Sequence, residues 1–456
     1  MRLLPIASSG AEAMLSPAVL RKFLDAVISD KEEQGHVTAG LREELATLPD
    51  DIDEMNAFAD RLSDLPMRPD WQYSEPTDLD AILKECDPDR PIGPIATIDP
   101  YEASARARAA FLGRVAGCML GKPFEINVTL NEIRQALEPL GEWPLRDYPT
   151  EKAIHALPTQ QGQWRELVRE RIDHVAVDDD INYTILAMLV LELHGRDFTH
   201  QDMLTQWLFN LPIAATFGPE RTILLKAGIE TFADSDKDIE RWTSVLNPGE
   251  ELCGALIRAD AYGYAAPGNP ALAAELAHRD ATLTHKRTGV YGAMFVAAAI
   301  ATAFVVRDRM EVFRTALSFV PTRSRFHEAV AFSINAVEQA SDWLDAYQRI
   351  NERYGRYGFC QSFQEIGTVI NSVYFAEDVG HGICIQVSQG NDTDSFGATA
   401  GSILGAFFGD GHLEQRWVEP FRDDIQTALA LFHERSLSRL TQRMGELPGR
   451  LAGGAG

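Results

Sequence analysis

Gly390-Asn391-Asp392-Thr393-Asp394-Ser395-Phe396-Gly397-Ala398-Thr399-Ala400-Gly401-Ser402-Ile403-Leu404-Gly405-Ala406-Phe407-Phe408-Gly409 is the stretch whose reading decides the fold. It opens with acids and hydroxyls, Asp392 to Ser395, and continues without charge through small residues at Gly397, Ala398, Ala400, Gly401, Gly405 and Ala406. Asp and Ser favour helix N-termini, where their side chains accept from free backbone N–H groups. Small residues on more than one face let neighbouring helices approach closely. The pattern therefore predicts a central helix whose acidic end is aimed into the middle of a helical protein.

Two further stretches resemble it in design. Val177-Asp178-Asp179-Asp180-Ile181-Asn182-Tyr183-Thr184 places three adjacent carboxylates at the start of a helix that is almost wholly apolar from Ile185 to Leu193. Such acids gain from the helix dipole but repel one another when partly buried. A hard cation removes that conflict, and Mg²⁺ takes oxygen ligands of this kind. Asp392, Asp394 and Ser395 supply a second half for the same cation. Each cluster alone also reads as an ordinary acidic helix cap; the pair together weakens that reading. The third stretch, Arg106 to Glu125, carries Gly113, Gly117 and Gly121 four apart on one helix face, ends at Lys122-Pro123, and leaves Glu125 on the following loop as a mobile acid.

Outward from these motifs the pattern stays helical. Apolar residues recur at helical spacing in Ser104–Leu120, Ile181–His194, Met203–Asn210, Ala271–Ala277, Gly289–Val306, Ala329–Tyr347 and Thr399–Phe408, with Pro- and Gly-rich loops between them. β-branched alternation is scarce. The expected fold class is all-α: one compact multi-helix domain over residues 96–445, preceded by a helical extension with a Pro-rich arm (1–95) and followed by a flexible tail (446–456). The 17-residue apolar tract from Val290 to Val306 includes Tyr291 and Gly292 and reads as a buried helix, short for a membrane span.

Acidic residues number 67 against 42 basic in a chain of 456, a net charge of −25, so the mean field opposes nucleic acid and anionic membrane as partners. Cys86, Cys118, Cys253, Cys360 and Cys384 are widely spaced without a CxxC pair, and the first fifteen residues show no secretory leader, which together point to a cytoplasmic protein. Cys118 reads as a buried apolar thiol. Trp71, Tyr73, Tyr262, Tyr264, Tyr374 and Phe375 read first as packing aromatics, with base stacking as the alternative.

Taken together, the three stretches resemble the ADP-ribosylglycohydrolase family, from about Arg106 to Gly409. GNDTDSFGATAGSILGAFFG is close to that family's Gly-Gly-Asp-Thr-Asp-Thr followed by an alanine and glycine helix, while AGCMLGKPFE and DDDINYT match more loosely. Arg258 in GALIRADAYGY and Thr284-His285 in ATLTHKRTGVYG resemble its Met-Arg and Thr-His segments. The resemblance implies a compact orthogonal multi-helix bundle with a metal site of one or two Mg²⁺ ions at its centre, Mn²⁺ being the alternative ion. By position it implies ligands at Asp178, Asp179, Asp180, Asp392, Asp394 and Ser395, and substrate contacts from Arg258, His285 and Asn391. The chain departs from the pattern in four places. Asp178 stands for a hydroxyl, Ile181 for a threonine, Cys118 for an acid, and Cys253-Gly254-Ala255 for an asparagine-rich loop.

The expected activity is Mg²⁺-dependent hydrolysis of a ribosyl C1 glycosidic bond, with Glu125, Asp179 and Asp394 carrying catalysis and water attacking directly. ADP-ribose on a side chain or small acceptor is the leading substrate. A nucleoside or other small N-riboside is one alternative, and a non-catalytic crystallin-like relative is another.

Overall fold

The computed structural model describes residues 16–125, 128–233 and 239–452. The N-terminal leader reading and the end of the C-terminal tail fall on residues 1–15 and 453–456, outside the described residues. The described residues are overwhelmingly α-helical, and their one sheet is an antiparallel ribbon pairing Val128 with Asn391 and Thr129 with Gly390. The expected all-α class is what the chain adopts.

The chain forms two compact units, Met1–Gln72 with Phe217–Glu250, and Tyr73–Thr216 with Glu251–Gly456. In the first, helices Pro17–Glu33, Leu41–Thr47 and Ile52–Ser63 bury Leu20, Leu24, Ile28, Leu45, Met55, Phe58 and Leu62 together, and Val245 and Leu246 pack on that core. The buried Lys31 ammonium is held by Glu250 at 2.8 Å and Gln34 at 3.0 Å. Trp71 packs flat on Gly35, where a Cβ would stand 2.1 Å from the indole.

The second unit is organised around two helices. Pro100–Gly121 and Thr393–Phe408 run antiparallel, backbone against backbone. A Cβ on Gly113 would lie 2.2 Å from the Gly401 carbonyl, one on Gly117 2.0 Å from that of Gly397, and one on Gly121 2.1 Å from that of Thr393. From the other side, a Cβ on Gly405 would lie 2.3 Å from the Ala109 carbonyl. Only glycine permits this approach. The antiparallel register brings the end of one helix to the start of the other, and the Thr393 hydroxyl donates to the Gly121 carbonyl at 2.8 Å.

The apolar helix expected from Gly289 is Thr288–Ala303, with every residue buried. One expectation differs: Ala329–Tyr347 is two helices, Arg325–Glu338 and Trp343–Tyr354. Asp342 accepts from the N–H groups of Leu344 and Asp345 and starts a new helix where apolar spacing alone predicts continuity. The Pro-rich arm after Tyr73 docks on its own unit. The Tyr73 hydroxyl donates to Glu328 at 2.8 Å, Glu75 receives the Arg325 guanidinium at 2.9 Å, and Ile95 N–H donates to the Gly268 carbonyl at 2.8 Å.

Candidate active site

The Asp179–His194 helix is capped by Asp178, whose carboxylate accepts from the Asp180 N–H at 2.9 Å. That cap turns the three acids in different directions. Asp180 points down among buried groups, where it meets Arg114 at 3.3 Å and accepts from the Ser395 hydroxyl at 3.1 Å. Arg114 also pairs with Asp260 at 2.9 Å and donates to the Ile257 carbonyl. Asp178 is buried and holds the Lys122 ammonium, which lies 4.0 Å from Asp394 on its other side. Asp179 is half-buried and feels both Asp178 and Asp394. Asp392 and Asp394 hydrogen-bond to each other at the start of the Thr393–Phe408 helix.

The two acidic motifs, more than 200 residues apart in sequence, thus meet at Asp180–Ser395 and at Lys122. Glu125 follows one short turn, Lys122–Phe124, and is close enough to Asp394, Asp178 and Asp179 for their charges to act on it. The nearby Val128–Thr129 strand pairs with Gly390–Asn391 at the start of the second motif. Asn391 sits at φ +66°, donating to Gln364 at 2.9 Å. Arg258 is buried on Asp280 and Thr284 beneath the Trp207 ring, 5.0 Å from its centroid, and the Thr284 hydroxyl meets His285 Nδ1 at 2.7 Å.

Electrostatics at this centre favour a cation. Burial and neighbouring carboxylates push Glu125 up to about 9 and Asp179 up to about 8. Asp180, Asp392 and Asp394 are raised by burial and the charge of their neighbours, while Asp178 alone is lowered, against its own burial, by Lys122. Without another cation the cluster therefore takes up protons near neutral pH; a metal ion replaces those protons. The donor set, carboxylates with the Ser395 hydroxyl, suits a hard divalent ion. The acid clusters fit a metal, and Lys122 already neutralises part of them.

Four contributors were not singled out by the sequence. Lys122 reads there as a helix stop before proline, and Arg114 as one of several arginines in its stretch. Glu365 lies in an apolar helix, yet its buried carboxylate accepts from Cys360 N–H and Ser362 N–H, both at 3.1 Å, and from the Asp392 N–H. Asp260 is buried opposite Arg114. A signal existed for Lys122 alone: a cation placed three residues before Glu125 in an otherwise apolar stretch.

The ADP-ribosylglycohydrolase family model matches residues 99–445, well over half the chain. This chain belongs to the ADP-ribosylglycohydrolase family. Its members are hydrolytic enzymes acting on ribosyl glycosidic bonds, in ADP-ribose conjugates, so the carboxylate centre lies in an enzyme of that class. A solved structure described as an ADP-ribosylglycohydrolase-related protein complex is similar at 20% identity and a TM-score of 0.48, covering 77% of this chain and 99% of that one. No curated protein matches. No helix among the described residues of this family member is long and apolar enough to cross a membrane.

Proposed function

We propose that this ADP-ribosylglycohydrolase family member cleaves the ribosyl C1 bond of an ADP-ribosylated side chain or small acceptor in a Mg²⁺-dependent reaction. The observation that carries the reading is the meeting of both acidic motifs at Asp180–Ser395 and Lys122, with Glu125 beside them. Asp179 and Asp394, with Asp180, Asp392 and Ser395, are the groups that would hold the ion; Asp178, also expected as a ligand, is instead taken by the Lys122 ammonium. Bound there, a Mg²⁺ would supply Lewis acidity and polarise a water for attack.

The chain's own residues do the rest. Lys122 keeps Asp178 ionised and fixed, so the Asp178 cap holds the first turn of its helix and the direction of Asp179. Arg114 and Ser395 fix Asp180 from two sides. Negative charge held on rigid elements favours the positive character that C1 develops as the bond to the acceptor breaks. Glu125, whose pKa is raised first of all by its burial, would donate to the departing acceptor and then take a proton from the attacking water. Asn391 would contact substrate in this reading, while Arg258 and His285, expected from the resemblance to do the same, are buried on Asp280 and Thr284 and would act from within the core.

A second reading, hydrolysis of a free nucleoside or other small N-riboside on the same carboxylates, is favoured by Cys253. Its buried thiol stands against Asp392, at a position where the family resemblance leads one to expect an asparagine-rich loop. Mass spectrometry of products decides between them, offering ADP-ribosyl-arginine, ADP-ribosyl-serine, free ADP-ribosyl compounds and a nucleoside panel with Mg²⁺. Free ADP-ribose from a conjugate supports the first reading, free base supports the second, and intact substrates throughout leave a non-catalytic, crystallin-like relative.

A further inference from the structure

Cys253 and Cys360 lie 107 positions apart in sequence, yet the Cys253 N–H donates to the Cys360 carbonyl at 2.9 Å and both thiols turn toward one carboxylate oxygen. Cys253 Sγ lies 3.5 Å and Cys360 Sγ 3.2 Å from Asp392 Oδ2, and all three atoms are within 4.8 Å of one another. Tetrahedral bonds of about 2.3 Å to sulfur and about 2.0 Å to oxygen place sulfur and oxygen about 3.5 Å apart and two sulfurs about 3.8 Å apart. The two observed sulfur–oxygen edges are already close to the first of those values, and the sulfurs lie within 4.8 Å of each other.

The backbone is built to hold it. Cys360 and Ser362 both occupy the left-handed region, at φ +66° and +63°, where side chains other than glycine are strained. The buried Glu365 carboxylate pins that turn through the N–H groups of Cys360 and Ser362 and reaches the Asp392 N–H as well. Cys253 and Asp392 are buried and Cys360 is partly exposed, so the three groups are enclosed with access from the Cys360 side.

We infer that Cys253, Cys360 and Asp392 form a site for a thiophilic divalent cation of the zinc class, beside the hard-cation centre and sharing Asp392 with it. Binding displaces the two thiol protons to solvent and leaves both sulfurs as thiolates on the ion, with no change of oxidation state. Occupancy draws the Asp392 carboxylate away from Asp394, so a zinc-class ion opposes Mg²⁺ at the neighbouring centre. The two sites then read different ions through one shared carboxylate.

The probe is Cd²⁺, added to reduced, metal-free full-length protein in the absence of Mg²⁺ and substrate, so that the outcome does not depend on the hydrolase reading. Thiolate-to-cadmium charge-transfer absorbance should saturate near one equivalent, with native mass spectrometry showing cadmium bound and protons lost. Cys253→Ser or Cys360→Ser should weaken binding by more than ~10-fold, each being an inner ligand whose loss exceeds the ~10–100-fold range's lower end for outer-shell partners. Cys118→Ala should keep the band, because Cys118 offers a single thiol beside Asp178 and Asp180. Circular dichroism of each variant establishes that it is folded. A band that survives loss of both cysteines overturns the proposal. So does a wild-type protein that takes up no Cd²⁺ after reduction, including one in which the two cysteines had been recovered as a disulfide.

Discussion

Lys122 places its ammonium between the two acidic motifs, against Asp178 and 4.0 Å from Asp394, and so partly fills the role that crowded carboxylates assign to a cation. Replacing it by methionine leaves Asp178 buried without its partner, a change that costs about 3–5 kcal/mol for a buried pair. We predict that Lys122→Met lowers the melting temperature of metal-free protein and that added Mg²⁺ restores more stability to the variant than to the parent. Equal Mg²⁺ shifts in both proteins would show that Lys122 is remote from the ion. Asp394→Ala acts in the opposite sense. Burial and Asp178 already disfavour its charge, so its removal should leave metal-free protein folded and at least as stable. Turnover should fall by more than the ~10–100-fold typical of an outer-shell partner; activity equal to the parent across Mg²⁺ concentrations would reduce Asp394 to a helix cap. Glu125→Gln should lower kcat by ~10²–10⁴-fold with Mg²⁺ affinity nearly unchanged, and a loss confined to metal affinity would make it a ligand instead. At this scale the sequence showed the acids plainly, because Asp178–Asp180 and Asp392–Asp394 are dense and sit at helix starts. It did not show Lys122, Arg114, Glu365 or the Cys253–Cys360 pair, whose partners are brought to them by tertiary packing and not by spacing along the chain.

The pair of glycine-faced helices converts these residues into a site. Gly113, Gly117 and Gly121 against Gly401, Gly397 and Thr393 fix an antiparallel register, and that register sets Lys122 and Glu125 beside Asp394. A methyl group on Gly117 would stand 2.0 Å from the Gly397 carbonyl, a contact that only separation of the helices relieves. We predict that Gly117→Ala destabilises by about 1–3 kcal/mol or more and also lowers activity, since the Glu125 loop shifts with its helix. Gly162→Ala, exposed and with nothing within 4 Å of its Cβ position, should change neither; thermal melting and initial rates on the two variants make the comparison. The four-residue glycine spacing made a close backbone approach legible from sequence, though not which helix it meets, and the wholly buried Thr288–Ala303 helix followed from its lack of charge. The break between Arg325–Glu338 and Trp343–Tyr354 was not legible from apolar period, because the capping hydrogen bonds of Asp342 overrode a continuous pattern.

Across the whole molecule acids exceed bases by 25, and a small set of the carboxylates is buried together at the candidate site. Glu125 and Asp179 are raised to about 9 and about 8 in the folded protein, above their values in the unfolded chain. Between those values the folded state binds more protons than the unfolded state, so stability falls as pH rises through that window. Metal-free protein should therefore melt at progressively lower temperature from weakly acidic to weakly alkaline pH, and saturating Mg²⁺, which replaces the protons, should flatten the dependence; a flat profile without metal would contradict the assigned burial of these acids. The central claim, that the two motifs form one metal-dependent centre for cleaving a ribosyl C1 bond, is tested most directly by turnover in heavy-oxygen water. Full-length protein is incubated with ADP-ribosyl conjugates and nucleosides, with Mg²⁺ or with chelator, and the products are weighed by mass spectrometry. The account predicts a ribosyl product carrying one heavy oxygen at C1 when Mg²⁺ is present and none when it is chelated. Product formed equally in chelator, or no cleavage of any ribosyl substrate in Mg²⁺, would contradict it.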